Sequence, residues 1–183
     1  MDLIDAIQRR RSIRKYKPDP VPEEVLRKVM EAVRWAPSWA NTQCWEVIVV
    51  KDSKVKSELA GALSKGNPAF SSITEAPIVL VLCGRRGISG YYKGEAKTEK
   101  GDWLTFDTGL AMQNLCLVAH ALGLGTVIVG NFSHRKVAEI LGVPQNDEVV
   151  VLTPLGYPAA EGGTPKRKEI SEFVFSDRYG NKV

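Results

Sequence analysis

Residues 103–122, WLTFDTGLAMQNLCLVAHAL, decide the fold. Leu104, Leu110, Leu115, Val118, Ala119 and Leu122 spread apolar side chains around most of a helical circumference, so this segment reads as a central helix buried on most sides. Gly123 and Gly125 end it, and the run from Thr126 to Val129 is suited to a strand.

Downstream, Ser133 caps a helix through Ile140 and Leu141, and Val149 to Leu152 gives another strand. Upstream, Val47 to Val50 and, after Pro77, Ile78 to Cys83 read as buried strands, with a short helix from Ser53 through Leu59 and Leu63 between them. The glycine-bearing stretch 84–101 has mixed charges and no periodicity, as expected of a mobile loop that can cover a site. Near the N-terminus, Asp2 caps a helix carrying Leu3, Ile4 and Ile7 and ending near Arg11. Pro18, Pro20 and Pro22 stiffen the connection to a second helix, in which Val25, Leu26, Val29, Met30 and Val33 recur at helical spacing until Pro37 stops it.

The chain has 183 residues, so one domain over 1–183 is the default. A 44% hydrophobic and 25% charged composition describes a globular chain. The longest unbroken aliphatic stretch, Ile78 to Cys83, is far shorter than the roughly 20 residues of a bilayer span, so no membrane partner is expected. With Asp2 at the start and no apolar signal core behind it, a cytoplasmic location is expected. Cys44, Cys83 and Cys116 are well separated and form no CxxC pair, which argues against a disulfide framework and a metal site.

The charge is unevenly placed. There are 25 bases against 21 acids, a net +4. The first 17 residues hold six of the bases against Asp2 and Asp5, and the rest of the chain balances 19 against 19. A nucleic-acid surface spreads its positive charge along a face, so this distribution speaks instead for a pocket that takes one compact anion. A smaller basic group recurs at Lys166, Arg167 and Lys168.

Motifs narrow the chemistry. Gly123 and Gly125 follow a helix and open a strand, the reverse of a dinucleotide-binding glycine turn, and no P-loop or Gly-x-Ser-x-Gly elbow is present. His120 and His134 lack companions at metal-ligand spacing and read as structural. In Arg10-Arg11-Ser12-Ile13-Arg14-Lys15-Tyr16, forked guanidinium donors and a hydroxyl can satisfy a phosphate dianion; the same residues could also be a solvated basic helix end. Pro37-Ser38-Trp39-Ala40-Asn41-Thr42-Gln43 has neither helical nor strand periodicity but gathers hydrogen-bonding groups around an aromatic ring, the mark of a working loop. After Ala159 the chain turns polar and ends on Phe173, Val174 and Phe175, which can pack on a partner subunit or on their own domain.

Four of these stretches, in order, resemble the FMN-dependent nitroreductase family: Arg10 to Arg14, Ala36 to Asn41 with Gln43 and Trp45, Asp107-x-Gly-x-Ala-Met-Gln-Asn-Leu through Ala121 to Thr126, and Arg167-Lys168. The resemblance covers nearly the whole chain and is to the family's short members. It implies an α+β fold in which a mixed β-sheet is sandwiched by α-helices, with a C-terminal extension over 159–183 crossing to the partner of a homodimer that holds FMN at the subunit interface. Arg10, Arg11, Ser12 and Arg14 would hold the FMN phosphate and ribityl chain, joined by Arg167 and Lys168. Pro37, Ser38, Trp39 and Asn41 would approach the isoalloxazine from the other subunit, and Val129-Gly130 would set main chain against the ring. Some relatives have an acidic residue in place of Val129 and a lysine near Ser72; this chain has neither.

The activity so implied is oxidation of NADH or NADPH by a ping-pong mechanism, with electrons passed to a nitroaromatic, a quinone or another small planar acceptor. No catalytic side chain is nominated, because the flavin carries the chemistry. The alternatives are a noncatalytic flavin carrier or sensor, and a flavin dehalogenase or flavin-cleaving enzyme on the same fold.

Overall fold

The computed structural model describes residues 1–182. The central helix is α5 (Leu104–Ala121), and four strands, β1 (Trp45–Val50), β2 (Ile78–Arg85), β5 (Gly125–Thr126) and β6 (Asp147–Gly156), form a sheet in the order β1-β2-β6-β5. Helices α1 (Leu3–Arg9), α2 (Glu23–Arg34), α3 (Ser53–Ala60), α4 (Phe70–Glu75) and α6 (His134–Leu141) surround it, and β3 (Tyr91–Tyr92) pairs with β4 (Glu95–Ala96) as a separate hairpin.

Strand periodicity divides the core. Along β2, Ile78, Leu80 and Leu82 pack with α2 and α5, through Leu26, Val29, Val33, Ala111 and Leu115. The intervening Val79, Val81 and Cys83 pack with Leu59 of α3, Ile73 of α4 and Val137 of α6. Helices thus cover both faces of the sheet, as expected. Every pairing between named strands is antiparallel, and the parallel component is a single bridge from Ser12 to Thr126.

Several boundaries move for identifiable reasons. The expected strand from Thr126 to Val129 is pairing at Gly125–Thr126 and a bridge from Val129 to Leu152. That register sets Val127 opposite Pro154, which has no N–H to complete the ladder there. The first helix ends at Arg9, not Arg11, because Arg10 turns to φ −55° and ψ 131° and the chain runs on extended. Stretch 84–101 holds the β3–β4 hairpin, turned through Lys93 and Gly94 at positive φ of 52° and 80°, and is not the unpatterned loop expected from composition. The six-residue α4, FSSITE, has no sequence signature long enough to announce it.

In the tail, Ile170, Phe173 and Tyr179 are 70%, 57% and 94% exposed, while Val174 and Phe175 are half-buried, with the Phe175 ring 4.7 Å from that of Tyr179. Among the described residues no helix is long and apolar enough to cross a membrane, and no cluster of His, Cys, Asp and Glu could hold a metal ion.

Candidate active site

The basic segment is tied to the sheet by isolated bridges from Ser12 to Thr126 and from Tyr16 to Pro158. The Ile13 amide donates to the Thr126 carbonyl and the Lys17 amide to the Tyr157 carbonyl, each at 2.9 Å, and the Ala159 amide donates to the Lys15 carbonyl at 2.9 Å. Ile13 and Tyr16 are buried, with the Tyr16 hydroxyl donating to the Ile13 carbonyl at 2.7 Å. Arg10, Arg11, Ser12 and Arg14 all face one cavity.

A cavity of about 480 Å³ lies there, lined by Arg10, Arg11, Ser12, Arg14 and, from the tail, Gly163, Thr164, Pro165 and Arg167. Arg11 Nε donates to Thr164 Oγ1 at 3.2 Å, and Gly162 lies so near that a Cβ on it would come within 2.5 Å of Arg11 Cβ and 2.9 Å of the Ser12 carbonyl oxygen. The two basic clusters separated in sequence therefore meet through Arg167, while the exposed Lys168 does not line the cavity. No carboxylate lines it either, and among the described residues none of the four arginines pairs with an acid. A set of forked cations without counter-ions fits a phosphate dianion.

Arg14 also borders a second recess of about 190 Å³, lined by Asn67, Pro68, Ala69 and residues 127–131. The two cavities abut at that side chain. Val129 spends both main-chain groups on Leu152, at 2.9 and 3.0 Å, so the exposed Gly130 is the member of the pair with main chain left for a ligand.

The working loop lies in a different recess. Pro37 and Asn41 line a cavity of about 420 Å³ with Arg34, Trp35, Ala36 and Gln43, and it shares no residue with the arginine cavity. Ser38 and Trp39 are half-buried; Ser38 Oγ accepts from the Gln43 amide at 2.9 Å, closing the turn. Three non-glycine residues there, Ala40, Asn41 and Gln43, hold φ of 46°, 56° and 48°. Such backbone persists only where surrounding contacts determine it. The Trp39 amide donates to both oxygens of Asp107, at 3.2 and 3.1 Å.

Asp107, quoted from sequence only as part of a motif, is fully buried and gathers this amide, the Ser89 hydroxyl at 2.6 Å and the Cys44 thiol at 3.8 Å. The one acid within a largely buried helix was the available signal for it. Thr164 gave none, being one polar residue in a polar tail.

All three thiols are buried and unpaired. Burial, then the Asp107 charge, pushes the Cys44 thiol up to about 12, and burial with nearby acids pushes Cys83 to about 11, so neither is a nucleophile near neutral pH. His120 Nε2 is buried without a hydrogen-bond partner; burial first, then the charges of Arg10 and Arg11, holds its pKa below the ordinary value. His134 Nδ1 lies 2.7 Å from the Val149 carbonyl oxygen, a structural contact.

Comparison with known proteins places this geometry in context. The family described as the nitroreductase family matches residues 7–71 and 67–157. An NADH dehydrogenase of Thermus thermophilus is 31% identical over 95% of both chains. An FMN reductase [NAD(P)H] of Bacillus subtilis is 33% identical over 86% of this chain and 66% of its own. The solved structure of an FMN-dependent nitroreductase from Clostridium difficile superposes with a TM-score of 0.80 at 27% identity, covering 97% of this chain and 100% of that one.

Proposed function

The chain belongs to the nitroreductase family, and from that premise we propose that it is a cytoplasmic, FMN-dependent NAD(P)H oxidoreductase, working as a homodimer and passing electrons to a nitroaromatic, a quinone or another small planar acceptor. The observation that carries this reading is the carboxylate-free cavity of Arg10, Arg11, Ser12, Arg14 and Arg167, which shares Arg14 with the recess over residues 127–131. A phosphate dianion in the first and a flat ring system along the second match the two ends of FMN. Ser12 adds a hydroxyl donor, and Arg11, braced by Thr164, holds the tail segment against the phosphate side.

Bound FMN supplies the hydride and electron chemistry. The protein's own residues bind and orient. Gly130 offers main chain to the ring, and Pro37, Ser38, Trp39 and Asn41 of the second subunit cover it and exclude water. Two features support the second subunit. The loop carrying those four residues shares no cavity with the arginines of its own chain. The apolar face of α1, with Leu3, Ile4 and Ile7 at 66%, 59% and 50% exposure, stands uncovered together with the tail's Ile170 and Phe173. No side chain of these motifs is assigned acid or base work.

Steady-state kinetics test the reading. With donor and acceptor using one face of the flavin in turn, double-reciprocal plots at several acceptor concentrations are parallel. Intersecting lines contradict a shared face, and a flavin-loaded protein that does not oxidise NADH or NADPH is a carrier and not this enzyme.

A further inference from the structure

We propose that Asp107 is the positioning residue of the flavin-facing loop, fastening the Trp39 main chain and the root of the β3–β4 hairpin to one carboxylate. The inference rests on the reading of residues 37–41 as the part of the protein that meets the ring.

The carboxylate is fully buried and has no cationic partner among the described residues. Three donors from three parts of the chain satisfy it: the Trp39 amide, the Ser89 hydroxyl and the Cys44 thiol. Its place in the first turn of the 18-residue α5 adds the favourable end of the helix dipole. A buried charge supported in this way is costly to disturb, because each donor loses its only anionic acceptor. The raised pKa of Cys44 keeps that thiol protonated and donating throughout the neutral range.

This arrangement explains how the turn at Ala40, Asn41 and Gln43 keeps its left-handed backbone. Ser38 closes the turn locally, and Asp107 ties its middle to the central helix. The same carboxylate fixes the segment leading to the hairpin: Ser89 is fully buried, its carbonyl accepts from the Trp103 amide at 3.1 Å, and the Gly87 amide donates to Asp102 Oδ2 at 2.7 Å. Loop and hairpin therefore share one anchor, and a change at the hairpin's root reaches Trp39 through two hydrogen bonds to Asp107. A carboxylate suits the post better than an amide. The Trp39 N–H spans both oxygens, and asparagine would turn one of them into a second donor.

The test uses FMN-loaded full-length protein and three variants, Asp107→Asn, Ser89→Ala and Trp39→Ala. It reads thermal stability, FMN affinity, the visible circular dichroism of the bound flavin, and the rate of flavin reduction by NADH in a single turnover. In Asp107→Asn, reduction slows about tenfold and the flavin dichroism changes, while FMN affinity, set by the arginines, stays within about threefold; that separation is one a purely structural role would not produce. Ser89→Ala, which leaves the carboxylate in place, moves the same readouts in the same direction by about threefold, and it decides the matter if Asp107→Asn does not fold. Wild-type reduction and dichroism in folded Asp107→Asn, or in Ser89→Ala where the former does not fold, overturn the proposal. If Trp39→Ala perturbs both readouts while the other two variants do not, the positioning role alone falls. If Trp39→Ala also leaves them untouched, the loop does not meet the flavin and both readings fall.

Discussion

The hydroxyl of Ser72, fully buried at the start of α4, donates to the main-chain carbonyl of Arg14 at 3.0 Å. Arg14 is the side chain common to the arginine cavity and the recess over 127–131, so α4 fixes the backbone of the residue that joins the two parts of the proposed flavin site.

Arg14→Ala is expected to weaken FMN binding by about 2 kcal/mol, the scale of a lost charge-assisted contact. Ser72→Ala keeps the guanidinium but removes the donor that holds the Arg14 carbonyl, at a cost of about 1 kcal/mol in stability and a smaller loss of affinity. Fluorescence titration with FMN and thermal melts of both variants check this; equal affinities in wild type and Arg14→Ala would remove the residue from the site.

Gly162 is needed for a close approach. A methyl group there would stand 2.5 Å from Arg11 Cβ and 2.9 Å from the Ser12 carbonyl oxygen, so Gly162→Ala must push the tail off the basic segment. The expected result is a loss of about 1–3 kcal/mol in stability, the range for overpacking, together with weaker FMN binding. Gly163→Ala, with nothing within 4 Å of the added carbon, melts as wild type does.

His120, which does not line the arginine cavity, can report on what binds there. Its pKa is lowered by burial and then by the charges of Arg10 and Arg11, so the fold favours the neutral ring. The stability this contributes is present above the ordinary value of 6.5 and is lost as pH falls below it. A phosphate dianion between those arginines offsets part of their field, and the His120 pKa is expected to rise when FMN binds. A pH titration of the ring by NMR, with and without FMN, measures this; an unmoved midpoint means that the phosphate sits elsewhere.

Flavin binding and association are expected to be linked, because a ligand held only by the assembled form stabilises it by mass action. Sedimentation across a dilution series should show dimers that persist to lower concentration with FMN than without. Deleting residues 159–183 should cost both dimer and flavin. A flavin-loaded monomer with full NAD(P)H oxidation would defeat the two-subunit site.

Long periodic patterns made much of this legible in sequence. The spacing of Leu26, Val29 and Val33 gave α2, the apolar circumference of 103–122 gave α5 to within a residue at each end, and Ser133 capped α6 through its bond from the Lys136 amide. What local pattern could not give was decided by distant chain. Arg10 and Arg11 look helical from their neighbours, yet pairing of Ser12 with Thr126 and of Lys17 with Tyr157 holds the segment against the sheet. The hairpin at Tyr91 to Ala96 was hidden because Lys93-Gly94 is a weaker turn signal than Asn-Gly. Charge counting isolated two basic clusters, but only the fold brings Arg167 beside Arg14 and leaves Lys168 outside.

The central claim is that the arginine cavity exists for the terminal phosphate of FMN, and the flavin itself tests it most directly. Apoprotein titrated with FMN and, separately, with FAD, each followed by flavin fluorescence, is expected to bind FMN at one per chain and FAD far more weakly, since the cavity fits a terminal dianion and nothing around it provides a seat for adenine. Preferential binding of FAD, or a folded protein that binds neither flavin, would contradict the account.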